Sequence, residues 1–282
     1  MGQWKRPWYF PQGKEDMHQA VHREVLAVRE GVGINEVQNF GKYLVKGPKA
    51  RAWLDRIMAG TIPKVGRLSL TPMLAHSGKI FGDFTVSCLS EQEFQLTASY
   101  GAQGWHTRWF DQNAMDGVSV ENVSDARSGF QIAGPKAREL LSRVTRSDVS
   151  AEAFKFMDVR KMTVGMANCL VQRVSYTADL GYEIFTDHMS VRQVWDTLNA
   201  AGADLGLRAF GMRAMMSLRL DKWFGSWGRE FSPDYTPETM EPGQGNGNDW
   251  AIVTLDRDLG NVVGFLKVHT LNDTDITEIG NG

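Results

Sequence analysis

Cysteine is nearly absent from this chain of 282 residues: Cys88 and Cys169 are its only thiols. Two thiols so far apart give neither a disulfide framework nor the paired spacing of a zinc site, and both read as core residues of a protein in a reducing compartment. Charge of one sign is equally scarce. Lys and Arg number 31 against 33 Asp and Glu, a net charge of -2 with no basic block, which argues against a nucleic-acid partner. No apolar run approaches the roughly 20 residues of a membrane-spanning helix. The first eleven residues interleave Trp4, Pro7, Trp8 and Tyr9 with Lys5 and Arg6, which is not a signal-peptide pattern, so the expected compartment is the cytoplasm. His, Asp and Glu form no cluster at metal-ligand spacing, and no Gly-x-Ser-x-Gly elbow occurs, leaving metal and acyl-enzyme chemistry without support in the sequence.

What is present is a core-forming composition, with 42% hydrophobic and 23% charged residues, in a length that suits about two domains. The chain also repeats itself. Tyr43-Leu-Val-Lys-Gly-Pro-Lys-Ala-Arg51 is echoed by Phe130-Gln-Ile-Ala-Gly-Pro-Lys-Ala-Arg138. In the first copy Ala50, Trp53, Leu54, Ile57 and Met58 follow at helical spacing, with Gly60 as a stop; in the second Ala137, Leu140, Leu141 and Val144 do the same. Each copy therefore predicts strand, Gly-Pro turn and helix, with proline at the first helical position. Two copies at this separation suggest related α/β modules in an α+β protein rather than a solenoid.

Between the copies, residues 84–89 and 94–99 predict a hairpin and residues 118–123 a further strand. Beyond the second copy, strands over 170–176 and 182–185 flank an Asp-Leu-Gly turn. An amphipathic helix then carries Val191, Val194, Trp195 and Leu198, capped by Ser190 and ended near Gly202, and a last helix covers 211–222. Residues 241–248, Glu-Pro-Gly-Gln-Gly-Asn-Gly-Asn, read as a linker before a short tail. Gly243, Gly245 and Gly247 have no preceding strand, following helix or acidic partner, so a dinucleotide loop is not expected there.

Eight segments in order carry a family resemblance: Arg6-Pro-Trp-Tyr-Phe10; residues 24–33 with Phe40-Gly-Lys-Tyr-Leu-Val-Lys-Gly-Pro48; residues 70–88 with Gly-Asp-Phe-Thr-Val; Trp105-His-Thr-Arg-Trp-Phe110; Gly129-Phe-Gln-Ile-Ala-Gly-Pro135; Arg173-Val-Ser-Tyr-Thr-Ala-Asp-Leu-Gly-Tyr-Glu-Ile184; residues 210–220; and Asp234-Tyr-Thr-Pro237. Together they resemble the folate-binding domain of the dimethylglycine and sarcosine dehydrogenases, relatives of the glycine-cleavage T-protein, an aminomethyltransferase. The resemblance implies a GcvT-like folate-binding fold, α+β, with pseudo-repeated subdomains around a central ligand channel. It implies a folate-binding region over 1–237, built roughly from 1–50 with 127–225 and from 51–126, followed by a divergent tail at 238–282. Two departures from the pattern are expected: no flavin domain precedes this region, and the family's C-terminal barrel is not recognisable after Pro237.

The implied cofactor is tetrahydrofolate, and the implied activity is one-carbon transfer from a dimethylglycine- or sarcosine-type amine, captured as 5,10-methylenetetrahydrofolate. The implied partners are a small amine or one-carbon donor and a separate FAD-dependent oxidoreductase subunit. Asp83, which follows Gly82, matches the family's functional aspartate; a carboxylate there orients an amine, moves protons and stabilises a cationic iminium. Glu183 matches the glutamate that recognises the pterin ring, where one carboxylate accepts two parallel N–H bonds. Arg213 matches an arginine near the ligand, with Arg219 a second choice, and Asp221 is a candidate ion-pair partner for these helix arginines. Tyr176 is open to two readings, a ring against the ligand or a core tyrosine. Ser99 and Tyr100 lie in a stretch that approaches the ligand, whereas His106 reads as structural. Two other functions stay open: a folate-dependent S- or O-demethylase yielding 5-methyltetrahydrofolate, and an inactive or partner-dependent folate-binding fragment. An iron-sulfur assembly role is disfavoured, since residues 222–230 hold no cysteine.

Overall fold

A computed structural model describes residues 6–38, 40–177, 180–222 and 224–225 of the chain. The Asp234 to Pro237 motif, the Gly-rich stretch at 241–248 and the tail at 238–282 lie outside the described residues. The elements are α1 (Met17–Glu30), β1 (Gly33–Glu36), β2 (Phe40–Lys46), α2 (Ala50–Ile57), β3 (Leu68–Leu74), β4 (Ile80–Ser90), β5 (Glu93–Ser99), α3 (Gln103–Gln112), β6 (Ser119–Asn122), β7 (Arg127–Ala133), α4 (Ala137–Val144), β8 (Val159–Val164), β9 (Ala167–Gln172), β10 (Gly181–Asp187), α5 (Val191–Gly202), β11 (Arg208–Ala209) and α6 (Met212–Leu218).

The strands form two sheets, ordered β11-β1-β7-β10-β9-β8 and β3-β4-β5-β2-β6. Neighbours run antiparallel except β1 and β11. This is the expected α+β class. The chain changes sheet between Glu36 and Phe40, so β2 pairs with β5 and β6 and the expected grouping of residues 1–50 with 127–225 does not follow the strand pairing.

Alternation along the strands sorts the side chains into layers. In the first sheet Ile34, Phe130, Ile132, Cys169, Val171, Tyr182 and Ile184 pack with Leu140, Leu141, Val194 and Leu198 of α4 and α5. In the second, Tyr43, Val45, Phe84, Val86, Cys88, Phe94 and Leu96 pack with Trp53, Leu54 and Phe110 of α2 and α3. Each large apolar side chain so buried contributes about 1.5–3 kcal/mol. Both cysteines are free and buried, as their spacing suggests.

The repeat appears as β2-α2 and β7-α4, with one correction. The prolines precede the helices: Lys49 and Lys136 are the capping residues, and Pro48 and Pro135 sit at the second position of turns closed by the Ala50 N–H to Gly47 O and the Ala137 N–H to Gly134 O, 3.1 and 3.0 Å. Proline suits that position because its φ is already set. Gly47 and Gly134 have φ of +133° and +124°. A Cβ on Gly134 would lie 2.4 Å from the Val28 carbonyl oxygen, so only glycine fits.

Other elements fall near their expected places. The hairpin is β4 with β5, in register Val86 to Leu96. β9 stops at Gln172 rather than continuing to Tyr176, and the last helix ends at Leu218 before a 3-10 turn over Arg219–Lys222. Ser190 precedes α5 as expected but makes no capping bond; its hydroxyl donates to Asp187 Oδ2, 3.1 Å away. Among the described residues no helix is long and apolar enough to cross a membrane.

Candidate functional site

The faces of the two sheets that turn away from the helices carry polar residues and meet each other. The first sheet supplies Asn35, Gln131, Gln172 and Glu183; the second supplies Lys42, Ser87, Gln95 and Thr97, all buried. Gln172 Nε2 donates to Ser87 Oγ across 3.0 Å, and Arg127 donates to Gln95 Oε1. Val37, Leu68, Val159, Leu170, Val174 and Phe185 form an apolar cluster that both sheets also share. The result is a polar seam between two helix-backed sheets.

Several seam atoms find no hydrogen-bond partner among the described residues: Asn35 Oδ1, Gln95 Nε2, Thr97 Oγ1, Gln131 Oε1 and Gln172 Oε1. An unmet buried polar atom costs about 1–3 kcal/mol, so their concentration here marks a place where a polar ligand edge or water completes the bonding.

Glu183 lies in β10 between Tyr182 and Ile184, whose side chains go to the opposite core. It is 5% exposed, and burial pushes its carboxyl from the ordinary 4.5 up to about 8 against the opposing attraction of Lys42. Lys42, in β2 of the other sheet, is fully buried, and the same desolvation lowers its ammonium from 10.5 to about 8, with Asp125, Glu183 and Glu36 raising it. Its Nζ donates to the carbonyls of Phe40 and Gln38, at 2.9 and 3.4 Å.

Asp83 is half-buried in β4, opposite Pro72 in register, and alternates away from Phe84 and so toward the seam. Burial raises its carboxyl to about 6, with the Phe84 amide pulling it down. Phe84 pairs with Ala98, so Asp83 and Ser99 lie at the same end of the β4–β5 pair. Tyr100 follows, its hydroxyl donating to Asp125 Oδ1 at 3.2 Å, and Asp125 in turn attracts Lys42. Asp83, Ser99 and Tyr100 thus lie at one end of the β4–β5 pair, and Lys42 lies within electrostatic reach of both Asp125 and Glu183.

Tyr176 sits apart in the packing of α1 and α6, stacked on Phe224 at 6.3 Å with its hydroxyl donating to Gly225 O, 3.4 Å. Arg213 is exposed, its guanidinium 4.3 Å from the centre of the Trp8 ring. Arg219, the second choice, is the buried one, at 4% exposure. Asp221 pairs with Arg29 of α1 rather than with either of these arginines. His106 is buried against Tyr43, Phe84 and Phe110, with Nδ1 3.1 Å from the Tyr43 hydroxyl, and desolvation lowers it to about 4. A Cβ on Gly82 would lie 2.7 Å from His106 Nε2, which explains the glycine beside Asp83.

Sequence reading missed Lys42, Gln131 and Gln172. The available signal was a polar residue in the middle of a strand whose neighbours are apolar, visible as Lys42 beside Tyr43-Leu-Val. It also missed Glu24, a buried carboxylate that accepts from the N–H groups of Phe10 and Gly211, at 2.5 and 2.8 Å, and ties the N-terminal segment to α6.

Paired helix-backed sheets in this arrangement superpose on glycine cleavage system aminomethyltransferase T from Bartonella henselae, with a TM-score of 0.72 and 23% identity over 84% of this chain and 61% of that one, a likeness of fold. A family model described as the GCVT N-terminal domain matches residues 1–243, and the chain belongs to that family. It is 31% identical to dimethylglycine dehydrogenase of Homo sapiens over 83% of this chain and 29% of that protein. Sarcosine oxidase subunit alpha of Corynebacterium sp. (strain P-1) is 33% identical over 90% of this chain and 27% of that subunit. An aminomethyltransferase of Natranaerobius thermophilus is 28% identical over 82% and 62%. The chain thus spans less than a third of the dehydrogenase and oxidase subunit it matches.

Proposed function

We propose that this domain binds tetrahydrofolate in the polar seam and passes to it a one-carbon unit at the formaldehyde level, as an aminomethyltransferase does. The observation that carries this reading is Glu183, a carboxylate 5% exposed in a seam where Gln95, Gln131 and Gln172 each leave an atom unmet. These residues fit a pterin edge. Once ionised, Glu183 can accept two parallel N–H bonds, Gln131 and Gln172 offer further acceptors, and Gln95 offers a donor. Tetrahydrofolate supplies the nucleophilic nitrogen that receives the carbon.

Asp83 holds the proton chemistry in this reading. A carboxyl raised to about 6 exchanges its proton close to neutrality and, when ionised, orients an amine and stabilises a neighbouring cation. Ser99 and Tyr100 line the same end of the seam, and Tyr176 lies on the segment that leads into β10. The electrophile comes from oxidation of an N-methyl amine by a flavin-dependent partner subunit or domain. The relationship to sarcosine oxidase subunit alpha, and the fold shared with a heterotetrameric sarcosine oxidase from Corynebacterium sp. U-96, support such a partner.

Anaerobic calorimetry with tetrahydrofolate tests the reading on the full chain, beside Glu183→Gln and Asp83→Asn. Saturable binding that Glu183→Gln abolishes and Asp83→Asn retains is the expected result; no saturable binding at millimolar ligand overturns it. A product of 5-methyltetrahydrofolate in place of the 5,10-methylene form assigns the domain to the demethylases instead.

A further inference from the structure

Lys42 is a buried cation for which the transfer chemistry above has no use. It sits in the second sheet, while its carbonyl acceptors Gln38 and Phe40 lie where the chain crosses from one sheet to the other. Its backbone is held as well: the Lys42 N–H donates to Ser124 Oγ at 2.8 Å, and the Lys42 carbonyl accepts the Val123 N–H at 2.8 Å. A flexible four-carbon stem is thereby fixed at both ends, and the side chain is fully buried. The ammonium bonds to main-chain carbonyls rather than to a carboxylate, so its charge acts through space on the acids around it.

Those acids come from three elements: Glu36 at the end of β1, Asp125 before β7, and Glu183 in β10. Two of them have other company. Arg6 donates to the Glu36 carbonyl, within electrostatic reach of its carboxylate, and Tyr100 donates to the Asp125 carboxylate. Glu183 accepts no hydrogen bond among the described residues, and Lys42 is the one charge there that opposes its desolvation.

We propose that Lys42 is a positioning residue of the seam: clamped at the crossover between the sheets, it is the fixed cation that lets the Glu183 carboxylate ionise and receive the paired N–H groups of a pterin. This rests on Glu183 as the pterin carboxylate. It gives Lys42 a role that acts through another residue and shows in the pH at which the ligand is accepted. Without the cation, the buried carboxyl keeps its proton to still higher pH, so a smaller fraction is ionised at neutrality to accept both N–H bonds.

The test reads Glu183 and the ligand separately. The first measurement follows the Glu183 carboxyl in ligand-free full-length chain by ¹³C NMR from pH 5 to 10, using Glu183→Gln to assign the signal. The second follows binding of 5-formyltetrahydrofolate over the same range. Both are made on wild type, Lys42→Met, Lys42→Arg and, as a second neutral variant, Lys42→Gln. Expected is an upward move of the Glu183 titration by about one pH unit or more in the neutral variants. Affinity at pH 7 falls roughly tenfold and recovers as pH rises, while Lys42→Arg stays close to wild type. Neutral variants that fold and titrate Glu183 at the wild-type pH overturn the proposal, even when the folate binds. A wild type that binds no folate, yet shows the shifted titration in Lys42→Met, upholds the coupling and removes only the folate reading.

Discussion

Gln172 and Ser87 join the two sheets by a single side-chain bond, 3.0 Å long, made where both residues are fully buried. Because Gln172 Oε1 is already without a partner among the described residues, the bond cannot be lost without leaving the whole amide unmet. Ser87→Ala is expected to cost about 1–3 kcal/mol, whereas Ser87→Ala with Gln172→Leu, which removes both polar groups, should be closer to wild type than the two single losses summed. Urea unfolding of the four proteins measures the cycle, and additive losses would show that the bond does not couple the sheets.

Stability should fall as pH rises through the range set by Glu183. Its folded carboxyl is raised from 4.5 to about 8, so between these values the folded state holds a proton that the unfolded state has released. The unfolded state binds fewer protons, and the slope of stability with pH is negative, at most about 1.4 kcal/mol per unit. Lys42 has the opposite sign in a different window: lowered from 10.5 to about 8, it makes stability climb from about 8 to 10.5. A minimum near pH 8 follows. Glu183→Gln should flatten the fall between pH 6 and 8, where Asp83, raised only to about 6, no longer contributes much. Denaturation midpoints taken at unit steps of pH check this, and an unchanged slope in the variant would refute it.

The turn glycines offer a sharper contrast. Gly134→Ala places a Cβ 2.4 Å from Val28 O, 2.5 Å from Gly31 O and 3.1 Å from Gly31 C at a φ of +124°, and all three obstacles are backbone. Strain of this kind costs about 1–3 kcal/mol before the clash is counted. Gly101→Ala, with nothing within 4 Å, is the control and should melt with the wild type.

How far the sequence could be read depended on what each pattern encodes. The β2-α2 and β7-α4 copies, the β4–β5 hairpin and α5 were legible because one face of each element goes to an apolar core and the spacing records it. The same logic hid the seam. Strands such as β2 and β10 are buried on both faces, so Lys42 and Glu183 stand inside runs that look uniformly interior, and only pairing across two sheets shows that their polar residues converge. Glu183 and Asp83 were reached through family resemblance. Arg213 was reached by the same route, but a motif fixes position along a helix and does not show that Trp8, more than 200 residues away, lies under its guanidinium.

That last contact yields a prediction that separates packing from binding. Arg213 lies over the ring of Trp8, and the Trp8 carbonyl accepts the Arg213 N–H at 2.9 Å, so the N-terminal segment is fastened to α6 by both side chain and backbone. Arg213→Ala removes only the ring contact, about 0.5–1 kcal/mol for an exposed cation–π pair, and leaves the backbone bond in place. The melting temperature should drop slightly and tetrahydrofolate affinity should stay within about twofold, since the energy lost is of order RT and is spent on the strap rather than the seam. Trp8→Ala should reproduce the effect, and the double variant should add nothing to the ring term. A loss of affinity tenfold or greater in Arg213→Ala, without a matching loss in Trp8→Ala, would instead place the guanidinium on the ligand.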